Sequence, residues 1–136
     1  MMSTAVPSLK RYSVNDMATE KRITGNLGED FAENYFKKKG FTTVRNYHSR
    51  YGEIDIIAEN EEYVLFVEVK TRKAGTMLSP VESVNFRKQQ KIILTAQDYM
   101  MKNDSEKQPR FDIFEVWHNE GRIYKFNHIE SAFDVG

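Results

Sequence analysis

The sequence contains no cysteine. Disulfides and cysteine-ligated zinc are therefore excluded. No apolar run approaches the roughly 18 to 20 residues that a membrane-spanning helix needs, so no membrane partner is expected. The opening stretch, MMSTAVPSLKRYSVNDM, lacks the apolar core of a secretion signal. A cytoplasmic location is the resulting expectation. Neither sign of charge is in excess, because 20 basic residues balance 20 acidic ones. Dedicated nucleic-acid binders are commonly basic overall. Any phosphate binding here must therefore come from local patches.

What is present suits one soluble globular domain. The chain has 136 residues, 40% hydrophobic and 29% charged, enough to bury a single core. Residues 1 to about 20 carry no helical or strand period, and a disordered tail is expected there. That leaves residues 21–136 as one domain. Met17 is a candidate alternative start, because patterned sequence begins soon after it. Native protein that keeps its tail, weighed by mass spectrometry, would count against that start.

From Thr24 to Lys39, Leu27, Phe31, Tyr35 and Phe36 recur at helical spacing. Gly40 is the expected stop, and Lys37, Lys38 and Lys39 suit the negative end of the helix dipole. Three extended runs follow, Phe41 to Tyr47, Glu53 to Ala58 and Tyr63 to Thr71, all rich in β-branched and aromatic residues. Arg72 to Ser79 reads as a loop. Ser79-Pro80-Val81-Glu82 has the form of a helix start, with serine as cap, proline in the first turn and glutamate completing the box. That helix is expected to run to about Met101 and to bury Val81, Val84, Ile92, Leu94, Ala96, Tyr99 and Met100. Phe111 to Trp117 and Arg122 to Phe126 are expected to form a second hairpin, turning near Asn119 to Gly121. A short turn closes the chain at Ala132 and Phe133. The order helix, three strands, helix, two strands predicts an α/β sandwich around a mixed five-stranded sheet flanked by helices.

The chemistry concentrates on the second and third strands. Side chains alternate between the faces of a strand, so Glu53, Asp55 and Ile57 share one face, and Val64, Phe66, Glu68 and Lys70 share another. A hairpin centred between Glu61 and Glu62 pairs residues whose numbers sum to the same value, which sets Asp55 opposite Glu68. Their Cβ atoms would then lie about 4.5 to 5.5 Å apart. Two opposed carboxylates in an apolar sheet repel each other and need compensation. A divalent cation with oxygen ligands, Mg²⁺ or Mn²⁺, provides it. Lys70, two residues along on the same face, is a second positive group that can orient a water or stabilise developing charge. The alternative is a simple strand-edge ion pair between Glu68 and Lys70. Arg72, Arg87, Lys88 and Lys91 are candidates for a phosphate-binding rim, or for an ordinary solvated face. Arg110 and Asp112 are expected to pair structurally. His48, His118 and His128 have no zinc-like spacing and no assigned role.

An aspartate followed by Glu-x-Lys, here Asp55, Glu68 and Lys70, resembles the PD-(D/E)xK nuclease superfamily, particularly its Holliday-junction resolvases. The wider set is Gly25-x-x-Gly28-Glu29, Arg45-Asn46, Gly52-Glu53-Ile54-Asp55, Val67-Glu68-Val69-Lys70-x-Arg72, Arg110-Phe111-Asp112 and Ala132-Phe133. In that order it resembles the YraN family of small bacterial proteins, over about residues 23–133. The resemblance implies a restriction-endonuclease-like fold and a metal-dependent endonuclease acting on branched or structured DNA. It also implies that Glu29, on the first helix, joins Asp55 and Glu68 at the metal. Because a junction has two symmetric cleavage points, it further implies a homodimer. The alternative function is a non-catalytic nucleic-acid-binding or structural protein that retains the fold.

Overall fold

The computed structural model describes residues 17–75 and 84–135, with side chains described from residue 26 onward. The element order is α1 (Met17–Lys38), β1 (Thr42–Ser49), β2 (Gly52–Glu59), β3 (Tyr63–Lys73), α2 (Phe86–Lys102), β4 (Gln108–Asn119) and β5 (Arg122–Phe133). The five strands form one sheet in the order β1-β2-β3-β4-β5. β3 and β4 are parallel, and every other neighbouring pair is antiparallel. The expected α/β architecture with a mixed five-stranded sheet is thus observed. The parallel step follows from the chain path, since α2 crosses over between β3 and β4.

Each helix covers one face. On α1, Gly28, Ala32 and Phe36 are buried at intervals of four, flanked by half-buried Phe31 and Tyr35. They pack on Ile56, Ala58, Leu65, Val67, Phe114 and Val116. On α2, Ile92, Ile93, Ala96 and Tyr99 pack against Ile54, Ile57, Val64, Phe66, Phe111 and Ile113. α1 ends as its sequence demands. Gly40 has φ +93, and the Gly40 and Phe41 amides donate to the carbonyls of Lys37 and Phe36, closing a Schellman turn.

Several local expectations are corrected. α1 starts at Met17, ahead of Thr24, so residues 17–20 are helical where a tail was expected. Residues 1–16 lie outside the described residues, as do Ser79 to Glu82 and with them the expected capping box and Val81. α2 begins instead at Phe86, where the extended Asn85 accepts the Lys88 amide on its side chain at 2.9 Å. An asparagine cap satisfies an orphan amide as well as serine does. Val84 is buried but precedes the helix, and Leu94 is 41% exposed while Ile93 and Thr95 are buried. β5 continues to Phe133 rather than stopping at Phe126. It does so through an irregularity where Ser131 has φ +51 and the β4 pairing shifts between Phe111 and Ile113.

That irregularity is pinned by Asp112. Its fully buried carboxylate accepts two bonds from Arg110, one from the Ser131 amide, and pairs with His128 Nε2 at 2.7 Å. His128 Nδ1 meets the Tyr35 hydroxyl at 3.1 Å. The Arg110–Asp112 pair is structural, as expected. His128, which the sequence left without a role, completes the same network.

A second irregularity positions the site. The β1–β2 ladder pairs Arg45 with Ile56 and Tyr47 with Ile54 but skips Asn46 and Asp55. Asn46 adopts φ +54. Arg45 bonds to α1, while Tyr47 packs in the α2-facing core. Likewise Ile56 belongs to the α1-facing cluster and Ile54 to the α2-facing one. Residues two apart should share a face. The ribbon therefore turns over at Asn46 and Asp55, and strict alternation from Glu53 to Ile57 does not hold.

α1 lies so close to the sheet at Gly28 that an added Cβ would sit 2.1 Å from Thr71 Oγ1 and 3.0 Å from Val116 Cγ2. Glycine inside a helix is otherwise unfavourable by about 1 kcal/mol relative to alanine. Gly28→Ala is therefore expected to destabilise by about 1 to 3 kcal/mol through overpacking. Thr71→Ala in the same chain should recover part of that loss. Denaturant titration of the single and double variants measures both effects, and a neutral Gly28→Ala would contradict the close approach.

Candidate functional site

The expected hairpin register is the observed one: Ile56 pairs with Val67, Ile57 with Phe66 and Ala58 with Leu65. The ladder stops one pair short of Asp55 and Glu68. There the Asp55 side chain replaces a main-chain partner, accepting the Val69 amide on Oδ2 at 2.9 Å. Where a strand loses its ladder, a side-chain acceptor keeps a partly buried amide satisfied. The two carboxylates thus meet at the frayed end of an apolar hairpin.

Glu68 is only 6% exposed. Its Oε2 receives Lys88 Nζ at 2.7 Å and Lys70 Nζ at 3.3 Å. One lysine comes from β3 and the other from the first turn of α2. A pocket of about 390 Å³ opens beside the pair, lined by Asp55 and Glu68 together with Asn85, Arg87, Lys88 and Lys91. Burial, then the Glu68 charge beside it, pushes the Asp55 carboxyl up to about 7, against the Val69 amide and Lys88. Burial works against the Lys88 ammonium, but its bond to Glu68 and the charges of Glu68 and Asp55 outweigh it, so its pKa is raised.

The structure brings Asp55, Glu68, Lys70 and Lys88 together, with Arg87 and Lys91 on the pocket wall. It does not bring Glu29 into that wall. Glu29 Oε1 takes Arg45 Nη2 at 3.1 Å, alongside Asp30 and Glu33 on the same guanidinium. Its charge still reaches Asp55 and opposes ionisation there. Among the described residues, no group of three acid or imidazole side chains is arranged to hold a metal. The donor set is therefore two carboxylates. Glu53 lines the same pocket, and its exposed side chain pairs with His48 at 3.2 Å.

Arg72 is a correction. Its Nε donates to Glu115 Oε2 at 2.7 Å, with the two side chains 11% and 1% exposed. It is a buried partner and not part of an open rim. Glu115 itself went unnoticed in the sequence, although a glutamate inside the apolar run Phe111 to Trp117 repeats the signal that singled out Glu68. It is the β4 register partner of Lys70, and its Oε1 is buried without a hydrogen-bond partner. The Lys88–Glu68 contact had no sequence signal, because it depends on where Asn85 starts α2.

A sequence profile of the uncharacterised protein family UPF0102 matches residues 28–116. Among its relatives, a UPF0102 protein of Caldanaerobacter subterraneus is 44% identical over 117 residues, 83% of this chain and 96% of that protein. UPF0102 proteins of Alkaliphilus oremlandii and Clostridioides difficile are 43% and 46% identical, over 96% and 95% of their own lengths. The chain belongs to the UPF0102 family. This is the YraN family that the motifs resembled. The UPF0102 match spans Glu29, Asp55, Glu68, Lys70 and the lysines of α2. No helix among the described residues of this UPF0102 protein is long and apolar enough to cross a membrane.

Asp55 yields a pH prediction. Its folded pKa, about 7, lies above the unfolded value of about 3.9. Between these values the folded protein holds the extra proton, so its stability falls as pH rises, and the loss is complete above the folded pKa. In metal-free buffer, Asp55→Asn should raise Tm at pH 8 by roughly 3 to 8 °C and leave it nearly unchanged at pH 4. Calorimetry showing no rise at pH 8 would contradict the buried-carboxylate account. Arg72→Ala strands the Glu115 charge and should cost on the order of 3 kcal/mol, whereas Arg87→Ala, on an exposed helix face, should cost under about 0.5 kcal/mol. Equal losses in urea titrations would contradict the division between buried partner and open rim.

Proposed function

We propose that this protein is a divalent-metal-dependent endonuclease that hydrolyses phosphodiester bonds in branched or structured DNA. The observation that carries the reading is the pairing of Asp55 and Glu68 at the end of the β2–β3 ladder, with Lys70 and Lys88 converging on one Glu68 oxygen. The donor chemistry fits Mg²⁺ or Mn²⁺. Two carboxylates offer hard oxygen ligands without thiol or imidazole, and such ions commonly complete their shells with water and substrate phosphate. The raised Asp55 pKa supports the fit, since a nearby cation would relieve both its burial and the Glu68 repulsion.

Asp55 and Glu68 would hold the ion, and Glu29 would add a ligand only by leaving Arg45. When bound, the cation supplies polarisation of the phosphate and acidification of a water. Lys70 orients the attacking water or neutralises charge as it develops on the phosphate. Lys88 balances Glu68 from the helix side. Arg87 and Lys91 hold the neighbouring phosphates against the pocket wall. A cytoplasmic protein that acts as a homodimer on a two-fold junction belongs to the same reading.

A second reading is a nucleic-acid-binding protein without catalysis. The double lysine contact on Glu68 favours it, because charge neutralisation is already supplied from within the chain.

Calorimetry with Mn²⁺ should show binding to the wild type and at least a tenfold loss in Asp55→Ala and Glu68→Ala. Cleavage of synthetic four-way junctions, flaps and single strands should fall about a hundredfold in Lys70→Ala, the scale of losing one transition-state donor. No Mn²⁺ binding even with DNA present would overturn the metal site. Equal cleavage by wild type and Lys70→Ala would assign the activity to a contaminant.

A further inference from the structure

Phe86 is 73% exposed at the first position of α2. Its chain neighbours Asn85 and Arg87 both line the pocket that holds Asp55 and Glu68. Among the described residues, this ring belongs to neither apolar cluster of the core. The cations nearest along the helix, Arg87, Lys88 and Lys91, line the same pocket. Gly52 also lines it, and a Cβ added there would sit 3.6 Å from Lys91 Cβ and from Thr95 Oγ1. A chain with no net charge thus sets Arg87, Lys88 and Lys91 on the helix side of an opening whose lining also holds Glu53, Asp55 and Glu68, with the exposed Phe86 ring next to Arg87 in the chain.

Cations beside an exposed ring suit a single strand of nucleic acid. The phosphates follow the positive groups, and unpaired bases stack on the rings. A base inside a duplex has both faces covered by its neighbours and gains nothing from such a ring. Exposed apolar surface beside a functional opening otherwise points to protein contact. Here the α2 side of the opening, with Arg87, Lys88 and Lys91, complements a polyanion.

We propose that Phe86 and the Arg87, Lys88 and Lys91 rim form a subsite for an unpaired nucleotide next to the scissile phosphate. The substrate class is therefore DNA with a single-stranded segment at the cleavage point, such as a flap or an open junction arm, in preference to continuous duplex. The base stacks on Phe86. The flanking phosphates lie on Arg87 and Lys91. This assignment names the substrate of the proposed nuclease and rests on that reading for the position of the cut.

The test separates binding from cutting. Anisotropy of fluorescently labelled DNA, measured with the full chain in EDTA, compares a flapped duplex, a single strand and a blunt duplex at one salt concentration. The wild type should bind the flap and the single strand at least tenfold more tightly than the blunt duplex. Phe86→Ala should lose about five- to tenfold on the flap and single strand, within the range of removing one stacked base, and leave the blunt duplex unchanged. Phe86→Trp should retain wild-type affinity. Because the ring is exposed, these variants are expected to keep the wild-type Tm. Equal affinity of wild type and Phe86→Ala for the flap, or a preference for blunt duplex, would overturn the subsite. Mn²⁺ binding and cleavage that survive this result would leave the nuclease reading in place. Flap binding through Phe86 without Mn²⁺ binding would support the subsite and sink the nuclease instead.

Discussion

Two carboxylates forced together at the end of an apolar hairpin are the constraint on which the site depends. Asp55 and Glu68 repel each other where water is scarce, and burial adds to the difficulty of ionising Asp55. The surrounding structure answers with specific groups. The Val69 amide donates to Asp55, and Lys70 and Lys88 reach Glu68 from two different elements. The turnover of the β1–β2 ribbon at Asn46 places Asp55 at this position, and the Asn85 cap sets the start of α2 so that Lys88 arrives there. An unpaired buried charge costs more than a fold of this size tolerates. The acids and their partners therefore form a single unit.

The rest of the charged interior is organised separately. Asp112 collects Arg110, His128 and the Ser131 amide, fixing the bend that lets β5 continue to Phe133. Glu115 holds Arg72 on the strand next to Lys70. Arg45 gathers Glu29, Asp30 and Glu33 along α1. Each ties neighbouring elements together. The pocket differs because two of its cations, Arg87 and Lys91, line an opening beside the paired acids and not a closed interior. Those cations next to an exposed Phe86 ring are the feature that a purely structural account leaves over.

Much of this was legible in the residues. The element order, the mixed sheet, the Gly40 stop and the hairpin register followed from period, turn symmetry and β-branched runs. What failed was local or nonlocal in identifiable ways. A helix continuous to Met101 was expected, yet the chain is not helical at Val84 and Asn85, and nothing in the local pattern announces that break. Turn symmetry predicted the register that sets Asp55 near Glu68, but strand alternation missed the turnover at Asn46 and Asp55, since nothing in Arg45-Asn46-Tyr47 states that the Asn46 φ is positive. Glu29 was matched to the site by resemblance, and its bond to Arg45 on another element carried no sequence signal. Arg72 looked exposed until Glu115 was seen beside it. Long-range ion pairs carry no periodic signature, so charged residues were the least readable part of the chain.

The account stands on the claim that Asp55 and Glu68 share a cation. Anomalous diffraction from crystals soaked in Mn²⁺ tests this most directly. The expected result is a single strong peak within coordination distance of both carboxylates, with the Lys88 ammonium moved off Glu68. A map without a peak there, and with Lys70 and Lys88 still on Glu68 Oε2, would contradict it.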